Sequence, residues 1–152
     1  MVISRAQKEH LVTALTWPEN EAEFAFWFGD KIVYGSSADT IWQQIQADSR
    51  DTFVFTDETG QLGFGQCYER EANARHIACL IVAPQARGQG VGRRFVTDLM
   101  NHALSISGVN RITLNVYPNN APARKLYLSL GFNEVGENRG MVAMRYDHAQ
   151  DN

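Results

Sequence analysis

The chain has 152 residues, 44% hydrophobic and 20% charged, with a net charge of −3, a length and balance that suit one domain with its own core. The acidic sum leaves no global basic field for nucleic acid or an anionic membrane, and no apolar run approaches the ~20 residues of a membrane span. Cys67 and Cys79 are isolated thiols in apolar segments, and no Cys/His cluster has zinc spacing, so neither a disulfide nor a metal is expected.

Arg5, Lys8 and Glu9 stand where a signal peptide needs an apolar centre, so free thiols in a reducing cytoplasm are the expectation. With no repeat, low-complexity tract or Pro/Gly/Ser linker, residues 1–152 are read as a single domain. Met1 to Ser4 reads as a short strand, and a helix follows from about Ala6 to Leu15. A second amphipathic stretch runs from Glu19 to Phe28 behind Pro18. A third starts near Asp39, read as its N-cap, with Ile41, Trp42 and Ile45 on one side. The period then becomes that of strands. Phe53 to Thr56, a turn at Asp57-Glu58-Thr59-Gly60, and Leu62 to Tyr68 make a hairpin. A polar link from Glu69 to Ala74 leads to a strand at Arg75–Val82, apolar on both faces from Ile77 onward, as in a central strand covered on both sides.

Pro84 ends that strand. A helix runs from Gly90 to about Ile106 with Val91, Phe95, Leu99, Met100 and Ala103 on its inner stripe, and Gly108 stops it. Arg111 to Val116 is a strand. Asn120 then caps a helix that has Pro122 in its first turn and Gly131 as its C′ residue. Residues 132–136 and 140–146 form a last strand pair. Helices, an antiparallel run and then β-loop-α-β-α-β-β give an α/β class with a mixed sheet.

The segment from Leu80 to Arg94 says most about chemistry. A buried strand enters a loop with glycines at 88, 90 and 92, which passes directly into a helix. Amides in the first turn of a helix are unpaired and its dipole is positive there, while glycines let an anion approach the backbone. Such a loop suits a pyrophosphate, and Arg87, Arg93 and Arg94 add charge beside it. It is not a Walker A loop, since no Gly-Lys-Ser/Thr follows, nor the dinucleotide fingerprint, since no acidic residue lies near position 112.

Val82-x-Pro84-x-x-Arg87-Gly88-x-Gly90-x-Gly92 resembles motif A of the GNAT acetyltransferase superfamily, whose core is Gln/Arg-x-x-Gly-x-Gly/Ala. Asn120-x-x-Ala123-x-x-x-Tyr127-x-x-x-Gly131-Phe132 resembles that superfamily's other signature, in the right order and at the usual distance. The resemblance covers about residues 53–146, the acyl-CoA-binding core, and leaves residues 1–50 as acceptor-side helices. It implies the GNAT fold, a mixed and mostly antiparallel sheet with helices on both faces, in which the strand before the loop splays from its parallel neighbour at a bulge and the acyl-CoA lies in the gap. It implies an N-acyltransferase that moves acetyl from acetyl-CoA to a primary amine of a small molecule or peptide by direct attack. The rival from another class is a non-catalytic acyl-CoA-binding or regulatory domain. A toxin-type transferase acting on aminoacyl-tRNA is disfavoured by the acidic balance. Pairing through a sheet edge is common in the group, so a homodimer is among the expectations.

Carried onto this chain, backbone groups of Leu80 and Val82 would bond the pantetheine arm. Backbone amides of Arg87, Gly88, Gln89, Gly90, Val91, Gly92 and Arg93 would hold the pyrophosphate. Asn120 would contact the cofactor as well as, or instead of, capping its helix. Tyr127 matches the general acid, with hydrogen bonding to the departing thiolate as its minimum role and a core tyrosine as the alternative. For the base, His76 stands near the start of the motif A strand where many relatives carry a glutamate, and alternation would turn it to the side of Ala78, Leu80 and Val82. Asn115 occupies the place of a glutamate used by another branch. A water relay, Glu69 or Glu71 remain open as alternatives to His76. Of Trp17, Phe24, Phe26, Trp27 and Trp42, most are expected in the core and one or two in an acceptor pocket.

Overall fold

Seven strands form one sheet in the computed structural model, which describes residues 1–148; the last four residues of the expected domain lie outside the described ones. They are β1 (Val2–Arg5), β2 (Thr52–Asp57), β3 (Gly60–Glu71), β4 (Ala74–Val82), β5 (Arg111–Val116), β6 (Asn133–Asn138) and β7 (Met141–Asp147), in the order β1-β2-β3-β4-β5-β7-β6. Only β4 and β5 are paired in parallel, and the helix between them returns the chain to the end at which β4 began. Helices α1 (Lys8–Ala14), α2 (Glu21–Phe28) and α3 (Ala38–Gln44) lie between β1 and β2, while α4 (Val91–Leu104) and α5 (Ala121–Ser129) follow β4 and β5. The mixed sheet and α/β class are those expected from the sequence.

Local chemistry moves several boundaries. The Ser37 hydroxyl accepts the Thr40 amide at 3.1 Å, so Ser37 and not Asp39 caps α3, with Asp39 in the first turn where the dipole favours it. The hairpin turn is closed by Asp57, whose carboxylate accepts the Thr59 amide at 2.7 Å. The polar stretch after Tyr68 is not a link: β3 runs on to Glu71, which pairs with Ala74, since a sheet face open to water accepts polar side chains in register.

The core forms where α4 meets the sheet. Phe95 is fully buried and stacks on Phe55 with centroids 5.0 Å apart. Gly63 makes that approach possible: a Cβ there would stand 2.7 Å from the Phe95 ring. On the other face Trp17, Phe24 and Trp42 are buried, and the Gln66 amide donates to the Ile45 carbonyl at 2.9 Å.

The feature that positions the site lies in β4. Phe64 pairs with Ile81 and Gln66 with Ala78, so Cys79 and Leu80 together oppose Gly65. This is a β-bulge, with Cys79 at φ +55°. The extra residue reverses the alternation, which overturns the expectation that His76 and Ala78 share a face with Leu80 and Val82. His76 and Ala78 fall on the face of Tyr68 and Gln66, their pairing partners, and Val82 on the face of Gly63. β4 pairs with β5 only from Ala74–Arg111 to Ile77–Leu114. Beyond that the two strands separate.

Candidate acyl-CoA cleft

Where β4 and β5 part they leave a cleft of about 360 Å³. Ala78, Cys79, Leu80 and Val82 form one wall, Leu114, Asn115 and Val116 the other. Asn120, Ala123, Leu126 and Tyr127 of α5 close one side, Phe26 and Trp27 of α2 stand at the opposite side, and Arg87, Gly88 and Gly92 lie at the mouth.

The loop at the mouth is shaped by backbone conformation. Gly88 and Gly90 have φ of +75° and +79°, and a Cβ at either would meet nothing within 4 Å. Glycine is needed there for the left-handed backbone, not for room. Gly90 is the N-cap of α4, and the Arg94 amide makes the first i→i−4 bond, to the Gly90 carbonyl at 3.1 Å. The amides of Val91, Gly92 and Arg93 therefore precede the helical ladder and remain available to an anion.

Of the residues singled out in the sequence, Leu80, Val82, Arg87, Gly88, Gly92, Asn120 and Tyr127 line the cleft. The side chains of Gln89, Val91 and Arg93 turn elsewhere. Gln89 donates to the Gln85 carbonyl at 3.0 Å, Val91 is buried in the core, and Arg93 donates to the Ser129 hydroxyl. With Gly90, these residues offer the cleft only backbone. Arg87 bridges the mouth: its Nε donates to the Val82 carbonyl at 3.2 Å, its Nη1 pairs with Glu23 of α2 at 3.2 Å, and its guanidinium lies 5.1 Å from the Trp27 ring.

Asn120 occupies the N-cap position of α5 with no side-chain cap hydrogen bond, and it lines the cleft. The capping role read from the sequence is not made. Tyr127 is 8% exposed and packs edge-on to Phe132 at 5.9 Å, and its hydroxyl hydrogen-bonds no described residue. Burial pushes its phenol up to about 12, so it stays a protonated donor across the physiological range.

His76 is not in the cleft. It is 5% exposed, with Nδ1 2.7 Å from the Thr113 hydroxyl and 3.1 Å from Arg70 Nη1. Burial, then the charges of Arg70 and Arg50, push its pKa down to about 3. The bulge that reverses the alternation explains its displacement from the Leu80 side. Glu71 belongs to the same separate groove as His76, and no Asp, Glu or His lines the cleft itself. Two wall features escaped the sequence reading: the place of the bulge the resemblance implies, at Cys79, whose residue type gives no sign of a positive φ, and the choice of Phe26 and Trp27 among the aromatics. Helical spacing does carry a signal for the second, since Phe24 and Phe28 are one turn apart and bury together, at 4.8 Å.

Residues 6–132 match the model of the acetyltransferase (GNAT) family, and the chain belongs to that family. It is 23% identical over 134 residues to the N-acetyltransferase 9-like protein of Nematostella vectensis, covering 87% of this chain and 61% of that protein. It is 30% identical over 121 residues to N-alpha-acetyltransferase 40 of Saccharomyces cerevisiae, covering 70% of this chain and 41% of that one. The chain thus spans less than two thirds of the length of these relatives. The spermidine N-acetyltransferase of Vibrio cholerae, solved with CoA and spermine, shares the fold with a TM-score of 0.74 at 20% identity, over 95% of this chain and 92% of that one. Among the described residues no helix is long and apolar enough to cross a membrane, and no three His, Cys, Asp or Glu side chains are grouped to hold a metal ion.

Proposed function

We propose that this chain is a single-domain, cytoplasmic N-acetyltransferase that uses acetyl-CoA to acetylate a primary amine of a small molecule or peptide. The observation that carries the proposal is the separation of β4 from β5 past Ile77 and Leu114, which opens a cleft reaching the free amides at the start of α4. The residues present fit the cosubstrate. Amides of the 87–93 loop would take the pyrophosphate, and the half-buried apolar edge from Leu80 to Val82 would take the pantetheine arm. The Val82 carbonyl already accepts from Arg87 Nε and keeps a second lone pair with which to accept from the arm.

In the transfer the amine nitrogen attacks the thioester carbonyl carbon, the C–S bond breaks, and the thiol sulfur leaves with the electron pair. Tyr127 is on the cleft wall to donate to that sulfur. With the phenol at about 12 and a thiol near ~8.5, full proton transfer would be uphill by roughly 5 kcal/mol. Tyr127 therefore acts by hydrogen bonding to the developing thiolate, and the proton comes finally from the nitrogen of the amine after it has attacked, or from water. Since no carboxylate or imidazole lines the cleft, the amine enters neutral or loses its proton to water. Free-thiol release from acetyl-CoA, measured across a panel of amines, amino acids, polyamines and peptides, tests the reading. CoA binding without thiol release from any amine would instead indicate a binding-only domain.

A further inference from the structure

A second groove, about 310 Å³, opens on the sheet face away from α4. Register places its floor: His76 pairs with Thr113, Thr113 with Arg145, and Asn115 with Ala143. These side chains share one face, while Ile112, Leu114 and Met144 are buried on the other. Leu114 and Asn115 line both this groove and the cleft, so the groove meets the cleft where β4 and β5 part. An amine in the groove can reach the gap from the side opposite the pyrophosphate loop.

The charge along this path has one sign in excess. Arg70, Arg111 and Arg145 line the groove, against the one carboxylate of Glu71. Arg111 and Arg145 share a single acid, Asp147, each at 3.0 Å. Arg70 has no carboxylate partner among the described residues; its guanidinium instead donates to His76 Nδ1 at 3.1 Å. The cleft adds one further charged residue, Arg87. A polycationic acceptor would pass four arginines against three acids, Glu71, Asp147 and Glu23, with Arg70 left without a carboxylate partner among the described residues, a balance that disfavours it. Arginines with free donors instead match a carboxylate.

Resting on the proposed N-acetyltransferase activity, we infer that this groove is the acceptor site and that the acceptor is an amine bearing a carboxylate, of the amino-acid class. Its nitrogen lies at Asn115 in the gap and its carboxylate faces Arg70 and Arg145. His76 is a positioning residue here: held neutral by burial, it can accept the Arg70 hydrogen bond and hold that side chain over the groove.

The test compares amines matched in carbon skeleton, lysine with cadaverine and 4-aminobutyrate with butylamine, by free-thiol release from acetyl-CoA. Each amine is also titrated calorimetrically into the protein saturated with CoA. The carboxylate member of each pair should show a kcat/KM higher by about tenfold or more, and the tighter binding. Arg70→Gln and Arg145→Gln should each erase most of that preference without changing affinity for CoA, and Arg70→Lys should restore part of it. Thiol release that favours cadaverine and butylamine, or a preference untouched by the arginine substitutions, overturns the inference while leaving the transferase reading standing. Arginine-dependent binding of the carboxylate amines with no thiol release supports the groove and removes the transferase reading instead. No binding and no turnover of either carboxylate amine overturns the inference.

Discussion

The two halves of β4 are continuous in sequence, yet they do different work. From Ala74 to Ile77 the strand is paired on both sides, and Ala74, His76 and Ile77 are each buried to 5% exposure or less. From Ala78 to Val82 it is paired only with β3, and Ala78, Cys79, Leu80 and Val82 are half-buried along the cleft. The change falls at the bulge of Cys79 and Leu80 opposite Gly65. The first half is scaffold that fixes the register of the sheet. The second leaves apolar surface and ladder groups unmatched, a cost that a bound chain of suitable shape can recover.

That contrast is broken most directly at the mouth of the parted half. Gly92 is helical, and a Cβ on it would meet Val82 and Leu126 at 3.7 and 3.8 Å, ordinary contact distances. Gly92→Glu therefore adds a carboxylate beside the free amides without straining the backbone. Affinity for CoA should fall by about a hundredfold or more, roughly 3 kcal/mol, with circular dichroism and thermal midpoint close to the parent. Unchanged affinity in calorimetric titration of a folded variant would remove the loop from the site. Gly90→Glu is the poorer test, because a side chain at φ +79° carries backbone strain of its own.

Tyr127→Phe sharpens the comparison at the inner end of the cleft. The ring and its contact with Phe132 remain and only the hydroxyl goes. A hydrogen bond made in the transition state predicts a kcat lower by roughly tenfold to a thousandfold, with CoA affinity little changed. Because the phenol is pushed up to about 12, the activity of the parent should show no tyrosine-dependent limb below pH 10. Parent-like turnover would make Tyr127 a core residue.

The paired half gives a prediction about stability. His76 is pushed down to about 3 from a usual value near ~6.5. Between those values the unfolded chain binds the proton and the folded chain does not. Unfolding free energy should fall as pH drops through that window, by up to ~1.4 kcal/mol per pH unit from this one group, with no contribution above it. His76→Gln, which keeps an acceptor for Arg70 and cannot titrate there, should flatten that slope. Denaturant melts at pH 7, 5.5 and 4.5 measure it, and equal slopes in parent and variant would refute the buried, neutral assignment.

The sequence made legible what depends on local chemistry. The glycine positions, the helix starting at Gly90 and the strand leading into it follow from residue type, and Tyr127, singled out by the resemblance, falls on the cleft wall. Faces that depend on pairing were not legible. The alternation from His76 to Val82 is sound for a regular strand, and one inserted residue invalidates it. Cysteine at a bulge gives no warning, whereas a glycine there would have. In the same way Asn120 has the right residue type and position for a cap, but its side chain makes no cap bond and it lines the cleft. Arg87 carried a signal of charge, but not of its pairing with Glu23, 64 residues earlier.

The smallest expected effect is on catalysis by the paired half, and it bears on where the amine's proton goes. A base in or beside the cleft would give kcat/KM a rising limb with a pKa that belongs to the enzyme and stays fixed as the amine is changed. His76 cannot supply that limb near neutrality, since with its pKa at about 3 it is deprotonated throughout the range. The remaining source of a rising limb is the amine itself, only about one part in a thousand neutral at pH 7 when its pKa is near ~10. Two carboxylate amines of different basicity should thus give limbs displaced by the difference in their own pKa values. His76→Gln should leave the position of each limb unchanged and alter kcat/KM on its plateau by less than about threefold, an allowance for imperfect seating of Arg70. A limb common to both amines and abolished by His76→Gln would return His76 to the catalytic residues.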